Sequence, residues 1–123
     1  MSRENILTGA IGEEMAANFL KRIGYRIIER NFRTKFGEID IVAKIGAVFV
    51  FVEVKTRLSS SLGPPLLSVT KRKEEKIIKN ALIYLNRHNQ DDAYWRIDIV
   101  SVKLNNDSGT DSIELIENAV CDA

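Results

Sequence analysis

Three charged residues, Asp40, Glu53 and Lys55, have the types and the spacing that metal-dependent phosphodiester chemistry requires. Glu53 and Lys55 follow the apolar run 48–52 and lie two residues apart, and side chains two apart on a strand share a face. Asp40, with Glu38 close by, belongs to the preceding β-type segment. If the two segments form a hairpin, the pattern predicts two or three carboxylates and one ammonium group in a small patch.

Such a patch is costly without a partner, because clustered carboxylates raise one another's pKa values by like-charge repulsion. A hard divalent cation, Mg²⁺ or Mn²⁺, relieves the repulsion, since it prefers carboxylate oxygens. A metal held in this way can polarise a phosphodiester and lower the pKa of a bound water, while Lys55 could stabilise charge on the phosphate. The residues alone leave open an alternative, a structural ion pair of Lys55 with Glu53 or Asp40 at the strand end.

Seven segments in the order α-β-β-β-α-β-β can position these residues. They are a helix over 9–23, strands over 25–33, 38–44 and 48–56, a loop over 58–68, a second helix over 70–87, and strands over 94–103 and 112–116. We expect Thr8 and Thr70 to be helix N-caps and Gly24 to be a left-handed C-terminal cap. The third strand is apolar on both faces, which predicts the central position in the sheet.

The periodicity also predicts which faces point inward. The inner stripe of the second helix is predicted to be Ile77, Ile78, Ala81, Leu82 and Leu85. In the second strand, Ile39, Ile41 and Ala43 are predicted to share one face, opposite Glu38, Asp40 and Val42.

Length and composition indicate one cytoplasmic domain over residues 1–123. A chain of 123 residues with 45% apolar content can bury a core without covalent staples. Its one cysteine, Cys121, cannot form an internal disulfide, which favours a reducing compartment. The N-terminal segment is amphipathic and no window approaches about 18 apolar residues, so we expect no signal peptide and no membrane span.

The charge is distributed unevenly along the chain, although the net charge is only +1. All 18 Lys and Arg residues lie within residues 1–104, whereas residues 105–123 contain five acids and no base. A basic body is compatible with a nucleic-acid partner, and the alternative is an ordinary solvated surface. The candidate phosphate contacts are Arg57, Arg33, Lys35, Lys71 and Lys73, with Arg30, Arg72, Lys76 and Lys79 as further candidates.

Other conspicuous residues are interpreted as structural. We expect Asp98 to pair with Arg96 on the same strand and His88 to lie on the surface near a helix end. Tyr94 and Trp95 are interpreted as rim and core residues and not as a base-stacking platform.

The successive motifs of the chain resemble those of a known family over nearly its whole length. They are Gly9-x-x-Gly12-Glu13-x-x-Ala16, Gly24-Tyr25, Arg30-Asn31-Phe32-Arg33, Gly37-Glu38-Ile39-Asp40-Ile41-Val42-Ala43, Phe51-Val52-Glu53-Val54-Lys55-Thr56-Arg57, Gly63-x-Pro65, Lys73, Arg96-Ile97-Asp98-Ile99-Val100 and Ile116-Glu117-Asn118-Ala119. This series resembles the YraN family of small bacterial proteins, which are interpreted as endonucleases related to archaeal Holliday junction resolvases.

The resemblance implies a single restriction-endonuclease-like domain, with an α/β core and a mixed sheet flanked by helices. The signature of that PD-(D/E)xK superfamily maps onto Asp40, Glu53 and Lys55, and its first-helix acid maps onto Glu13 as a further metal ligand. The implied function is Mg²⁺-dependent hydrolysis of DNA, with branched or repair intermediates as substrates and a homodimer as the assembly. The segment after Pro65 departs from the family pattern, and an alternative is a nucleic-acid-binding module that does not cut.

Overall fold

The computed structural model describes residues 3–58, 71–105 and 111–120. The elements are α1 (Arg3–Arg22), β1 (Arg26–Thr34), β2 (Gly37–Ile45), β3 (Val48–Leu58), α2 (Lys71–Arg87), β4 (Trp95–Leu104) and β5 (Ser112–Val120). The predicted order α-β-β-β-α-β-β is confirmed. Leu58 ends β3, whereas the rest of the predicted loop, Thr70 and Cys121 lie outside the described residues.

The five strands form one mixed sheet in the order β1-β2-β3-β4-β5. Only β3 and β4 are parallel, and the other neighbours are antiparallel. The central position of β3 is confirmed. Its Phe51 joins a buried cluster with α2, while Val50 and Val52 join a second cluster with α1. One helix therefore covers each face, and the α/β class with a mixed sheet is confirmed.

Helix α1 begins earlier and ends where the sequence predicts. It starts at Arg3, so Thr8 lies inside the helix and its prediction as the N-cap is wrong. Residues 3–8 contain neither glycine nor proline, and nothing in them interrupts the helix. At the other end Gly24 has a φ of 103° and Tyr25 N–H donates to the Leu20 carbonyl at 2.9 Å, which confirms the glycine cap.

The buried stripe of α2 is rotated from the predicted one. Its members are Ile77, Asn80, Ala81, Tyr84 and Leu85. The prediction for Leu82 is wrong, because that side chain is 50% exposed. Tyr84 takes the inner position, with its ring 5.1 Å from Phe32 and 5.7 Å from Phe51 in edge contacts. Asn80 is buried because its amide oxygen accepts a hydrogen bond from the Thr34 hydroxyl.

The apolar side chains of strand β2 do not all lie on the same face of the sheet. Ile41 and Ala43 belong to the cluster under α1, whereas Ile39 belongs to the cluster under α2, so the prediction that all three share a face is wrong. The paired register of β2 with β3 ends at Ile41↔Val52. The pairing of β2 with β1 continues to Gly37, so the change of face between Ile41 and Ile39 coincides with the loss of the β3 partner alone.

The edge strands β1 and β5 each contain an asparagine in the left-handed region. Asn31 in β1 has a φ of 57° and Asn118 in β5 a φ of 50°. The Asn118 N–H donates to Asp98 at 2.9 Å, and Arg96 Nε donates to the same carboxylate at 3.0 Å. The predicted structural pairing of Asp98 with Arg96 is thereby confirmed. Over the described residues, neither helix combines the length and the apolar content that crossing a membrane demands.

Candidate metal and catalytic site

Asp40 lies where the ladder between β2 and β3 stops. Its carboxylate oxygen Oδ2 accepts a hydrogen bond from the Val54 N–H at 2.8 Å. The side chain thus takes a backbone donor of the central strand beyond the last paired residues, Ile41 and Val52. This bond fixes Asp40 against the segment that contains Glu53 and Lys55.

The surroundings of Asp40 disfavour its ionised form. Burial is the largest influence that raises its pKa, followed by the negative charge of Glu53, and Glu13 and Glu38 add to it. The Val54 N–H acts in the opposite direction, and the resulting pKa is about 7 against an ordinary value of 3.8. Burial, reinforced by negative neighbours, therefore makes Asp40 a much weaker acid than an ordinary aspartate.

Glu53 and Lys55 form an ion pair, as one of the two alternatives predicts. Lys55 Nζ lies 3.3 Å from Glu53 Oε1, and the two side chains are 18% and 20% exposed. No ion pair joins Lys55 to Asp40 in the portion of the chain that the structure describes. The Glu53–Lys55 ion pair connects two cavities. Lys55 and Asp40 line the first cavity, and Glu53 and Glu38 line the second.

Helix α1 brings Glu13 to the site because Gly12 packs directly on β3. A Cβ atom on Gly12 would lie 1.9 Å from the Thr56 Oγ1, so only glycine permits this approach. Glu13 is 19% exposed and lies 3.4 Å from the Arg30 guanidinium, which also contacts Glu14 at 2.8 Å. Arg30, predicted as a phosphate contact, therefore neutralises acids of α1.

The first cavity joins these groups into a site. It has a volume of about 370 Å³ and is lined by Glu13, Asp40 and Lys55 together with Thr8, Gly9, Val54 and Thr56. The structure thus brings together Asp40, Lys55 and Glu13, with Glu53 attached through its ion pair with Lys55.

The donor chemistry suits a hard divalent cation. The acids that surround Asp40 supply oxygen atoms only, and oxygen is the ligand type that Mg²⁺ prefers. Within residues 3–58, 71–105 and 111–120, however, no three acidic, histidine or cysteine side chains form a ready metal-binding group. Glu53 is directed to Lys55 and Glu13 to Arg30, so holding a metal requires these side chains to turn towards Asp40.

The predicted phosphate contacts fall into two groups. Lys73 lines the cavity that contains Glu53, Lys35 Nζ lies 5.2 Å from the Phe36 ring centroid, and Arg33 Nε donates to Glu38 at 3.0 Å. These three are gathered on the α2 side of the site. Lys71 is exposed at the start of α2 and Arg57 is partly buried near the end of β3.

Sequence reasoning missed two contributors, Gly12 and Phe36. Gly12 is part of the first motif of the sequence, but no packing role is predicted for it, although a glycine on the inward side of a helix is itself a signal of close packing. Phe36 was not considered, yet it lines the cavity that contains Glu53. Its position between Lys35 and the Gly37-Glu38 motif is a usable signal, an aromatic ring among basic residues. His88 and Tyr94 are exposed as expected, and Trp95 packs on the core.

Comparison with known proteins gives a consistent family assignment. The model of the uncharacterised protein family UPF0102 matches residues 12–102. A UPF0102 protein of Pelobacter propionicus is 50% identical over 118 residues, which cover 94% of this chain and 84% of the relative. The UPF0102 protein of Geobacter metallireducens is 50% identical over 83% of this chain and 84% of its own length. That of Syntrophus aciditrophicus is 46% identical over 94% of this chain and 90% of its own length.

Proposed function

The chain belongs to the uncharacterised protein family UPF0102, and we propose that it is a Mg²⁺-dependent endonuclease that hydrolyses phosphodiester bonds in DNA. The proposed substrates are branched or otherwise irregular DNA molecules. The observation that supports this most is Asp40, a carboxyl group whose pKa is raised to about 7 by burial and by Glu53, Glu13 and Glu38. A folded protein keeps such a costly arrangement most readily at a functional site.

Each residue has a distinct role in this proposal. Asp40, Glu53 and Glu13 hold the cation through their oxygen atoms, and the Val54 N–H keeps the Asp40 carboxylate in place. When bound, the cation supplies Lewis-acid polarisation of the phosphate and acidification of a water. Lys55, released from Glu53, presents its ammonium group to the phosphate oxygens or orients the attacking water.

The surrounding cations extend the site towards the DNA backbone. Lys73, Lys35 and Arg33 lie on the α2 side of the acids, and Lys71 and Arg57 are further candidates for phosphate contacts. These contacts hold the backbone regardless of its sequence. Cutting both strands of a branched molecule requires two sites, so the proposal includes a homodimer. Light scattering in the presence and absence of branched DNA tests whether the dimer forms.

The test of the activity is cleavage of branched, flapped and single-stranded DNA by purified protein in Mg²⁺ or Mn²⁺. We expect Glu53→Ala to reduce the cleavage rate by about a hundredfold or more, since the cation then lacks a ligand. The matched control is Glu74→Gln, because Glu74 and Lys76 have the same two-residue spacing but lie on α2. Cleavage that survives Glu53→Ala would assign the activity to another site or to a contaminant.

A second candidate function is a nucleic-acid-binding module that keeps this fold and does not cut. The ion pairs of Glu53 with Lys55 and of Glu13 with Arg30 favour it, because acids already neutralised have less need of a cation. Salt-dependent DNA binding without metal-dependent cleavage on any of the substrates above would support the module. The same result would contradict the proposal that the protein is a nuclease.

A further inference from the structure

The turn between β1 and β2 holds Phe36 in a fixed position against α2. The Phe36 N–H donates to the Thr34 hydroxyl oxygen at 3.1 Å, and the Thr34 hydroxyl donates to the Asn80 amide oxygen. Asn80 is 1% exposed and belongs to the rigid inner face of α2. The main chain of the turn at Phe36 is therefore tied to α2 through the buried Asn80.

Phe36 does not belong to the core that its neighbours form. Among the described residues, the buried cluster under α2 and the side chains packed on it do not include Phe36. Instead the ring lies among cations, with Lys79 Nζ at 4.4 Å and Lys35 Nζ at 5.2 Å from its centroid. A partly exposed aromatic ring among ammonium groups is the usual composition of a surface that binds single-stranded nucleic acid.

A small cavity lies beside the Phe36 ring, between it and part of α2, and Glu53 of the site lines it. This cavity, here the Phe36 pocket, has a volume of about 150 Å³, and its walls include Phe36, Ile77, Lys73, Lys76, Asn80 and Glu53. The volume is well below the roughly 300 Å³ of a pocket for a drug-sized ligand and suits one planar ring system.

We propose that the Phe36 pocket binds one unpaired nucleotide next to the phosphodiester bond presented to Asp40 and Glu53. The base packs against the Phe36 ring and Ile77, and the flanking phosphates lie on Lys73 and Lys76. A base inside a duplex cannot enter, because both of its faces are stacked and its edge is paired. The substrate class is therefore DNA with an unpaired or extruded nucleotide at the cleavage point. This inference rests on the proposed function for its purpose, but its binding step is independent of cleavage.

The experiment measures binding in chelator, where no metal-dependent cleavage occurs. Fluorescence anisotropy compares a duplex that contains one unpaired nucleotide with the same duplex fully paired. We expect Phe36→Leu to weaken binding of the first by on the order of tenfold, the effect of one lost base–aromatic stack, and to leave the second unchanged. Phe36→Trp should restore the preference, which also shows that the turn tolerates substitution. The matched control is Tyr94→Leu, which removes an aromatic ring that is 79% exposed elsewhere.

The contribution of the lysine charges to DNA binding is measured separately, through the salt dependence of the affinity. Lys76→Gln should lower the slope of log affinity against log salt by about one for the substrate with the unpaired nucleotide. The proposal is overturned if Phe36→Leu affects both DNA molecules equally or neither, or if the protein binds no DNA. Failure of the proposed function gives a different result. If the protein prefers the DNA with the unpaired nucleotide in a Phe36-dependent way but cleaves no DNA, the nuclease proposal is refuted and the nucleotide-binding role of the Phe36 pocket is retained.

Discussion

Replacing Asp40 by asparagine removes one negative charge from the site while keeping its shape. The asparagine side chain has the size of aspartate, and its amide oxygen can still accept the hydrogen bond that the Val54 N–H donates to Asp40 at 2.8 Å. Lys55 keeps its partner, because its ion pair is with Glu53. The substitution therefore tests the cost of a negative charge that is buried beside other acids, separately from packing and from the ion pair.

The size of the effect follows from the pKa of Asp40. The group ionises near 3.8 in the unfolded chain and near 7 in the folded protein, so between these values the folded state binds more protons. The free energy of unfolding therefore falls as the pH rises from about 4 to 7, and it is constant above. At 1.36 kcal/mol per pKa unit the cost to the wild type is about 4 kcal/mol at pH 8. About 2–3 kcal/mol of it is added between pH 5 and pH 8.

Urea unfolding in chelator at pH 5 and at pH 8 measures this cost. We expect Asp40→Asn to exceed the wild type in stability at pH 8, with a difference that shrinks by about 2–3 kcal/mol at pH 5. Mn²⁺ at a hundredfold excess over its dissociation constant should stabilise the wild type by about 2.7 kcal/mol at pH 8 and stabilise the variant less. The control is Asp92→Asn, since Asp92 is exposed outside the site.

A destabilised Asp40→Asn would refute this reasoning. If Asp40 is held as an anion by a nearby cation, the substitution costs on the order of 3 kcal/mol at pH 8. A wild type that does not respond to Mn²⁺ would then leave a structural ion pair as the explanation of these charges.

Two further substitutions test the framework around the site, again by urea unfolding. Gly12→Ala should lower the free energy of unfolding by about 1–3 kcal/mol, because the added methyl group overpacks against Thr56. The control Gly9→Ala has nothing within 4 Å of its added Cβ and should raise the free energy of unfolding by up to about 1 kcal/mol. Equal effects of the two substitutions would contradict the close approach of α1 to β3. Asp98→Asn should cost about 3 kcal/mol, because the fully buried carboxylate is the charged acceptor for Arg96, the Tyr25 hydroxyl and the Asn118 N–H. The comparison is Glu117→Gln, which removes the exposed second acid near Arg96 at 3.8 Å and should cost under about 1 kcal/mol. An Asp98 variant as stable as the Glu117 variant would show that the buried carboxylate is dispensable.

The sequence predicts the sheet well because each strand has its own local signal. The doubly apolar run 48–52 correctly places β3 at the centre, and Gly24 correctly ends α1. The short hairpin between β2 and β3 brings Asp40 close to Glu53 with no long-range information. Whether these residues hold a metal stays a prediction.

What the sequence does not predict depends on contacts between distant segments. The inner face of α2 includes Asn80 in place of Leu82, because a polar side chain is buried once Thr34 satisfies it. Ile39 and Ile41 belong to opposite clusters at the point where β2 loses its pairing with β3 but keeps its pairing with β1. Two-residue alternation within one segment does not anticipate this change. Neither fact is visible in the periodicity of a single segment.

The left-handed asparagines of the edge strands bear on how two copies of this chain can associate. An open sheet edge is a template for another strand, and proteins protect edges with irregular backbone and charge. Asn31 of β1 and Asn118 of β5 both have a left-handed backbone, and the Asn118 N–H donates to Asp98 inside the chain. Both edges therefore disfavour continuation of the sheet into a second copy, and the proposed homodimer is expected to use a helical or loop surface instead.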